Sequence, residues 1–149
     1  MYLYHIDETI IALARRLALP LARFGIFLVF FWFGALKVVG LSPASPLVQE
    51  LFERTIPVMP FSTFIVLFGL VECAIGILFL IPRWERVAIA ALVFHMTTTL
   101  MPLFLLPQAT WSGFLVPTLE GQYIIKNILI IAAAIVIAAE LEPLSERYD

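Results

Sequence analysis

Four long apolar runs dominate the pattern of hydrophobic and polar positions along the chain. They cover residues 19–39, 61–81, 87–106 and 122–139, and each has the roughly 20 residues that a helix needs to cross a bilayer. Pro20, Gly40, Pro60, Pro82 and Pro107 stand at their ends, where a helix can stop because water satisfies the freed backbone groups. The pattern predicts an all-α fold, a transmembrane four-helix bundle formed by one domain over residues 1–149.

Basic residues near the ends of the runs predict how the bundle is oriented. One end carries most of them, namely Arg15, Arg16, Arg23, Arg83, Arg86 and Arg147. The opposite connections hold only Arg54, since Lys37 and Lys126 fall within the apolar runs. Arginine and lysine accumulate on the cytoplasmic side of membrane proteins, so both termini are expected to be cytoplasmic. The two long connections, residues 40–60 and 107–121, then face outward.

The segment ahead of the first run has its own periodicity. Apolar Ile6, Ile10, Leu13 and Leu17 recur at helical spacing among charged residues. This pattern favours an N-terminal interfacial amphipathic helix that lies on the membrane. An extension of the first span is the alternative.

Composition supports a membrane protein and narrows the function classes. Hydrophobic residues make up 62% of the chain and charged residues 13%, about half the charged fraction of a typical soluble domain. The mean hydropathy is +1.04. A net charge of −2 gives no electrostatic basis for binding nucleic acid. The single cysteine, Cys73, excludes an intramolecular disulfide. The N-terminus shows no cleavable signal peptide, so the first span is expected to be a retained anchor.

Ionisable residues inside the apolar runs mark the candidate site. Placing a charged side chain in the bilayer core costs on the order of several kcal/mol unless the charge is paired or faces a water-filled cavity. Glu72 lies in mid-span on the same helical stripe as Gly69 and Gly76, and those glycines would let another helix approach and shield it from lipid. We expect Glu72 to pair with Lys37, Lys126 or both, as a buried Lys–Glu–Lys cluster near the outer face. Such a cluster could bind an anionic or quinone-like head group, or relay protons. An ion pair that only fixes helix register, with snorkelling lysines, is the alternative.

Other polar residues near this cluster are secondary candidates. His95, in mid-span, is interpreted either as a hydrogen-bonded packing residue or as a proton-relay or ligand contact. The only other histidine is His5, so the pattern does not favour a bis-histidine haem, and no metal-ligand spacing is present. Cys73 is interpreted as a small packing residue. Glu120 and Tyr123 could line the mouth of the cluster, beside Lys126 and Asn127. No catalytic residue is assigned, and no metal or intrinsic cofactor is expected.

Three short motifs resemble the DoxX-like family of small four-helix membrane proteins, and its YkgB-like branch in particular. They are Phe33-Gly34-Ala35-Leu36-Lys37, then Gly69-Leu70-Val71-Glu72 with Gly76, then Gly121-Gln122-Tyr123-Ile124-Ile125-Lys126-Asn127. The resemblance covers nearly the whole chain and carries over Lys37, Glu72, Lys126 and Asn127 as the family's recurring polar positions. It implies a multi-pass protein of the bacterial inner (plasma) membrane. It also implies a role in redox or oxidative-stress complexes, because the family is named after a membrane part of a thiosulfate:quinone oxidoreductase.

Three functions follow as hypotheses. The first is an integral membrane subunit of a quinone-linked oxidoreductase-type complex, which needs a protein partner and surrounding lipid, with a quinone or a lipid as the ligand. The second is a standalone small-molecule carrier or permeation protein that uses the charge cluster. The third is a structural assembly subunit without a ligand. Four short helices enclose little volume and the inverted repeats of many transporters are absent, which favours the subunit over the carrier.

Overall fold

A computed structural model describes residues 2–143 of the chain, and within them helices predominate. Its helices are α1 (Tyr2–Val38), α2 (Ser45–Thr55), α3 (Phe61–Leu80), α4 (Glu85–Leu100), α5 (Pro102–Leu105), α6 (Pro107–Thr110), α7 (Leu119–Lys126) and α8 (Ile128–Ala139). A small antiparallel hairpin, β1 (Trp111–Gly113) and β2 (Val116–Pro117), stands between α6 and α7. Arg147, counted above for orientation, lies outside the described residues.

Four helical stretches are long and apolar enough to cross a membrane, as the sequence predicts. They are Tyr4–Val38, Phe61–Leu80, Glu85–Leu105 and Leu119–Ala139. The third consists of α4 and α5, and the fourth of α7 and α8. The protein is therefore a multi-pass membrane protein of helical architecture.

The predicted boundary at Pro20 is wrong, because α1 continues through it from Tyr2 to Val38. Proline has no N–H to donate to the carbonyl four residues earlier, which here is Arg16. Arg16 is exposed, where water can replace that one hydrogen bond. The segment predicted as a separate amphipathic helix is therefore the first half of α1.

Glycine allows α1 and α3 to pack backbone against backbone. A Cβ atom on Gly69 would lie 2.6 Å from the carbonyl oxygen of Gly34, and one on Gly34 would lie 2.6 Å from that of Gly69. Gly76 also lies close to the backbone of α1, with a hypothetical Cβ 3.1 Å from the carbonyl oxygen of Phe27. The predicted close approach at the Gly69–Glu72–Gly76 stripe is confirmed.

The hydrophobic core lies between α1, α3, α4 and α8. Its fully buried side chains include Phe79, Leu92 and Ile137. At one end of the bundle Arg23 of α1 closes the structure: its Nε donates to the carbonyl oxygen of Phe79 at 2.7 Å, and its Nη2 lies 3.0 Å from Glu85 Oε1. Arg23 therefore ties α1 to the end of α3 and the start of α4, so the α3–α4 turn and the exposed half of α1 share one end of the molecule.

The opposite end contains elements that the sequence reading did not predict. Helix α2 lies within the connection that was expected to be a loop, and it begins with Pro46 in its first turn. Side-chain pairs one turn apart, Gln49 with Glu53 and Glu50 with Arg54, support it. This i, i+4 spacing was a readable signal for the helix.

Candidate functional site

Glu72 is the centre of the candidate site and lies in the middle of α3. Eleven residues of that helix precede it and eight follow it. Its side chain is only 8% exposed, yet both of its carboxylate oxygens have a basic neighbour. Lys37 Nζ donates to Oε2 at 2.6 Å, and His95 Nε2 lies 3.3 Å from Oε1. We call Lys37, Glu72 and His95 the buried triad.

The directions of α1 and α3 explain why Lys37 and Glu72 meet. Side chains on a helix lean toward its N-terminus. Because the two helices are antiparallel, Lys37 near the end of α1 leans toward the middle of the bundle, and Glu72 leans toward it. The amine of Lys37 therefore turns inward to the carboxylate and does not snorkel to the near boundary. The predicted Lys37–Glu72 pair is confirmed.

The other lysine of the expected cluster does not belong to it, and this part of the Lys–Glu–Lys prediction is wrong. Lys126 is exposed, and its Nζ lies 5.2 Å from the ring centroid of Tyr123. The buried face of α7 is formed by Gly121 and Ile124. Lys126 follows Ile124 by two residues, about 200° around the helix, so it points away from the bundle. His95 occupies the position expected for the second cation.

The remaining sequence candidates lie on α7 and at its end, outside the buried triad. Glu120 and Tyr123 are exposed. Asn127 is half-buried at the junction of α7 and α8, where its carbonyl oxygen accepts the N–H groups of Ile130 and Ile131. In the described part of the chain, Tyr123 therefore lies beside Lys126, and neither residue contacts Glu72.

Aromatic rings enclose His95 and set its orientation. The ring of Phe68 stacks on the imidazole with centroids 4.9 Å apart, and Phe30 approaches edge-on at 5.2 Å. Phe68 also lies under Lys37, with Nζ 5.7 Å from its centroid, within cation–π range. Phe68 precedes Glu72 by one helical turn, so its place beside the triad was readable from spacing, whereas the contact between Phe30 and His95 needed the tertiary structure.

The stack of rings continues from His95 to the α2 end of the bundle. Phe68 stacks on Phe64 with centroids 5.5 Å apart, and Phe64 stacks on Phe52 at 4.4 Å. Phe52 is the buried residue of α2. We call these three rings and the imidazole the aromatic column. Through Phe52, the aromatic column links α2 to the ring that stacks on His95.

The triad has the chemistry of a buried proton-exchange site. Lys37 and Glu72 together can carry no net charge, which lowers the cost of keeping them out of water. Imidazole can accept or donate a proton at either nitrogen, and Nε2 faces the carboxylate. The 3.3 Å separation of Nε2 and Oε1 is slightly longer than a catalytic hydrogen bond, which commonly tightens when a ligand binds. The triad could therefore pass a proton to a bound molecule, or simply hold three helices together.

The neighbouring cysteine has a packing contact. Cys73 Sγ lies 3.5 Å from the carbonyl oxygen of Phe31, in the close contact between α3 and α1. Within residues 2–143, no group of three or more histidine, cysteine, aspartate or glutamate side chains is arranged to hold a metal ion.

Comparison of the chain with protein-family models, curated proteins and solved structures found no match.

Proposed function

We propose that this chain is an integral membrane subunit of a quinone-linked redox complex, of the DoxX-like kind that its sequence motifs resemble. In this proposal the buried triad hydrogen-bonds a quinone-like head group and exchanges protons with it. The protein partner supplies the redox centre, and the chain supplies the membrane-embedded proton site.

The observation that carries the proposal is the contact of one carboxylate with both a lysine and a histidine at mid-span. Ionisable groups at that depth are costly, and they commonly belong to proton relays or ligand sites. An ion pair for helix register needs only Lys37 and Glu72. The additional imidazole supplies a group that can donate or accept a proton at either ring nitrogen.

The surroundings of the triad suit a flat, apolar ring with polar edges. Phe30 and Phe68 surround the imidazole with aromatic rings, and the ammonium of Lys37 has N–H groups besides the one that it donates to Glu72. Quinone reduction takes up protons, so a head group there would need a proton source within reach. Entry would require displacement of Phe52, which caps the aromatic column.

A structural assembly role is the second candidate, because one observation favours it. The triad is closed in the described structure: Lys37, Glu72 and His95 are each no more than 6% exposed. A triad that only fixes the packing of α1, α3 and α4 would look the same. The two candidates differ in what a charge-neutral isostere does, since Glu72→Gln keeps the shape and some hydrogen bonding but removes the proton site.

The orientation expected from the arginine pattern is part of the proposal. The end closed by Arg23 and Glu85 is placed on the cytoplasmic side of a bacterial inner membrane, and α2 with the hairpin on the outer side. A quinone would then reach the triad from the outer half of the bilayer.

Native mass spectrometry of the protein, extracted gently from its own membranes, tests the proposal. Wild type should retain a quinone or a redox partner, and Glu72→Gln should lose the quinone. Glu85→Gln is the matched control, because it neutralises a second ion-paired carboxylate at the far end of the bundle. Wild type that is empty and alone would contradict the proposal. Equal quinone retention in Glu72→Gln and Glu85→Gln would contradict the triad as the quinone site and favour a structural role for it.

A further inference from the structure

The first half of α1 presents an apolar stripe that nothing in the described structure covers. Residues 4–18 are all exposed. Ile6, Ile10, Leu13 and Leu17 follow each other at intervals of four, three and four residues, so they share one helical face. They are 40–61% exposed. We call residues 4–18 the arm and this face the arm stripe.

The length of α1 places the arm outside the hydrocarbon core. Residues 19–38 form about 30 Å of helix, which is enough to cross the core by itself. The arm adds about 22 Å beyond it. An arm that projected straight into water would leave four large aliphatic side chains in solvent.

The arm stripe continues onto the lipid-facing side of the same helix. Phe24, Leu28 and Phe31 follow Leu17 at intervals of seven, four and three residues, and all three are exposed on the outside of the bundle. The stripe is therefore continuous with a surface that contacts lipid in a multi-pass protein. Glu8 and Arg15 lie on the opposite face of the arm.

In the described structure the arm continues α1 without a break. From its placement we propose that in a bilayer the arm bends outward at Pro20 and docks its stripe on the bilayer surface, against anionic phospholipid head groups. Because the stripe is on the lipid side, bending away from the bundle turns it toward the membrane and turns Glu8 toward water. Pro20 stands between arm and span and has already removed one backbone hydrogen bond, so the bend costs least there.

The charges nearest the hydrocarbon boundary at this end favour an anionic surface. Arg15 and Arg16 lie in the arm close to the span, and the acidic residues of the arm, Asp7 and Glu8, lie about two turns farther from it. The contacts of Arg23 with Phe79 and Glu85 place them at the same end as the α3–α4 turn, which adds exposed Arg83. Arginines just beyond the hydrocarbon boundary attract anionic head groups.

A second copy of the chain fits the arm less well. Four side chains along about 22 Å of helix cover only part of the roughly 800 Å² that each partner contributes to a stable interface. Lipid, in contrast, is already the neighbour of the adjoining residues. We therefore assign the bilayer as the surface that the arm stripe contacts. The test would also detect a protein bound to the stripe.

Single-cysteine fluorescence in lipid nanodiscs tests the docking. In a Cys73→Ala background, Ile10→Cys on the stripe and Glu8→Cys on the opposite face are labelled with an environment-sensitive fluorophore. Discs contain phosphatidylcholine with phosphatidylglycerol. The probe at position 10 should emit at shorter wavelength and be quenched by brominated lipid, and aqueous iodide should quench the probe at position 8 at least threefold more strongly.

Two results would show that the arm does not dock on lipid. Equal iodide quenching at positions 8 and 10 would mean that the arm stands in water. Protection of position 10 from both quenchers, with disulfide formation between copies carrying Ile10→Cys, would identify a second copy as the occupant. The lipid quenching at position 10 should be weaker in discs of phosphatidylcholine alone than in discs that also contain phosphatidylglycerol. An Arg15→Gln/Arg16→Gln variant should remove this difference between the two kinds of disc. Lipid quenching that does not depend on head-group charge would refute the anionic preference. None of these readouts requires a quinone, so a failure of the docking proposal can be distinguished from a failure of the proposed function.

Discussion

At the residue scale, the protein resolves the cost of burying charge by giving Glu72 two basic neighbours. Lys37 satisfies one carboxylate oxygen, and His95 lies against the other. A buried ion pair contributes little net stability compared with a well-packed apolar pair. Removing one member, however, leaves an uncompensated charge. The triad is therefore a place where single substitutions separate structure from chemistry.

Glu72→Leu should be strongly destabilising. It leaves the ammonium of Lys37 buried without its counter-charge, at a cost of about 3–5 kcal/mol. The measurement is the midpoint of thermal unfolding in detergent, detected as the loss of monodisperse protein on heating. A Lys37→Met/Glu72→Leu double variant removes both charges and should recover most of the loss. A Glu72→Leu protein as stable as wild type would show that the pair has no structural role.

His95→Phe should preserve the fold and remove the proposed proton exchange. A phenyl ring keeps the packing against Phe68 and Phe30, and the Lys37–Glu72 bond is untouched. The unfolding midpoint should fall less than in Glu72→Leu, while quinone retention in native mass spectrometry is lost. Unchanged quinone retention in His95→Phe would rule the imidazole out of the site.

At the element scale, the contact between α1 and α3 depends on glycines, which have no side chain to hold the helices apart. Gly34 and Gly69 bring the two backbones together, and this approach holds Lys37 in reach of Glu72. A second close contact fixes α7: a Cβ on Gly121 would lie within 2.5 Å of the carbonyl oxygen of Thr110. Fully buried Thr110 in turn donates to the carbonyl oxygen of Leu106 at 3.0 Å. Glycine at these helix contacts thus sets both the spacing and the rotation of the helices.

Gly69→Ala should separate α1 from α3 and lower the unfolding midpoint. Its Cβ would lie 2.6 Å from a backbone oxygen, which cannot move aside as a flexible side chain can. Gly25→Ala is the matched control, because a Cβ there meets no atom within 4 Å and alanine favours a helix by roughly 1 kcal/mol over glycine. Equal midpoints for the two variants would mean that the close helix contact does not limit stability.

At the scale of the whole molecule, the bundle has two unlike ends. One end is closed by Arg23 and Glu85, and Arg86 donates to the carbonyl oxygen of Glu142 near the end of the fourth span. The other end carries α2 and the hairpin, whose tip exposes Phe114 and Leu115. Leu115 has a φ of 57°, in the left-handed region that glycine usually occupies. The arginine-rich end is the one that the positive-inside rule places in the cytoplasm.

Reporter fusions should reveal this orientation. A fluorescent protein fused after Asp149 should fluoresce, because that side is expected to be cytoplasmic. Alkaline phosphatase inserted within residues 40–44, before α2, should be active, because that connection is expected to face outward. The reverse pattern would place the aromatic column on the cytoplasmic side and would contradict the proposed direction of quinone entry.

The sequence by itself determined the four spans, the glycine stripe of α3 and the need of Glu72 for a lysine partner, and it left open whether that partner is Lys37, Lys126 or both. Each follows from local rules: apolar length, helical periodicity and the cost of an unpaired charge in lipid. Helix α2 also had a local signal in its i, i+4 pairs.

The tertiary structure alone decided which second basic residue joins Glu72. His95 and Lys126 both stood in apolar runs, and nothing local distinguishes them. The rotation of α7 is set by the burial of Gly121 and Ile124, and this turns Lys126 outward. Likewise, α1 passes through Pro20 because only one hydrogen bond is lost there, at an exposed carbonyl. Both outcomes depend on how neighbouring elements pack and on which groups reach water, and a single helix does not encode either.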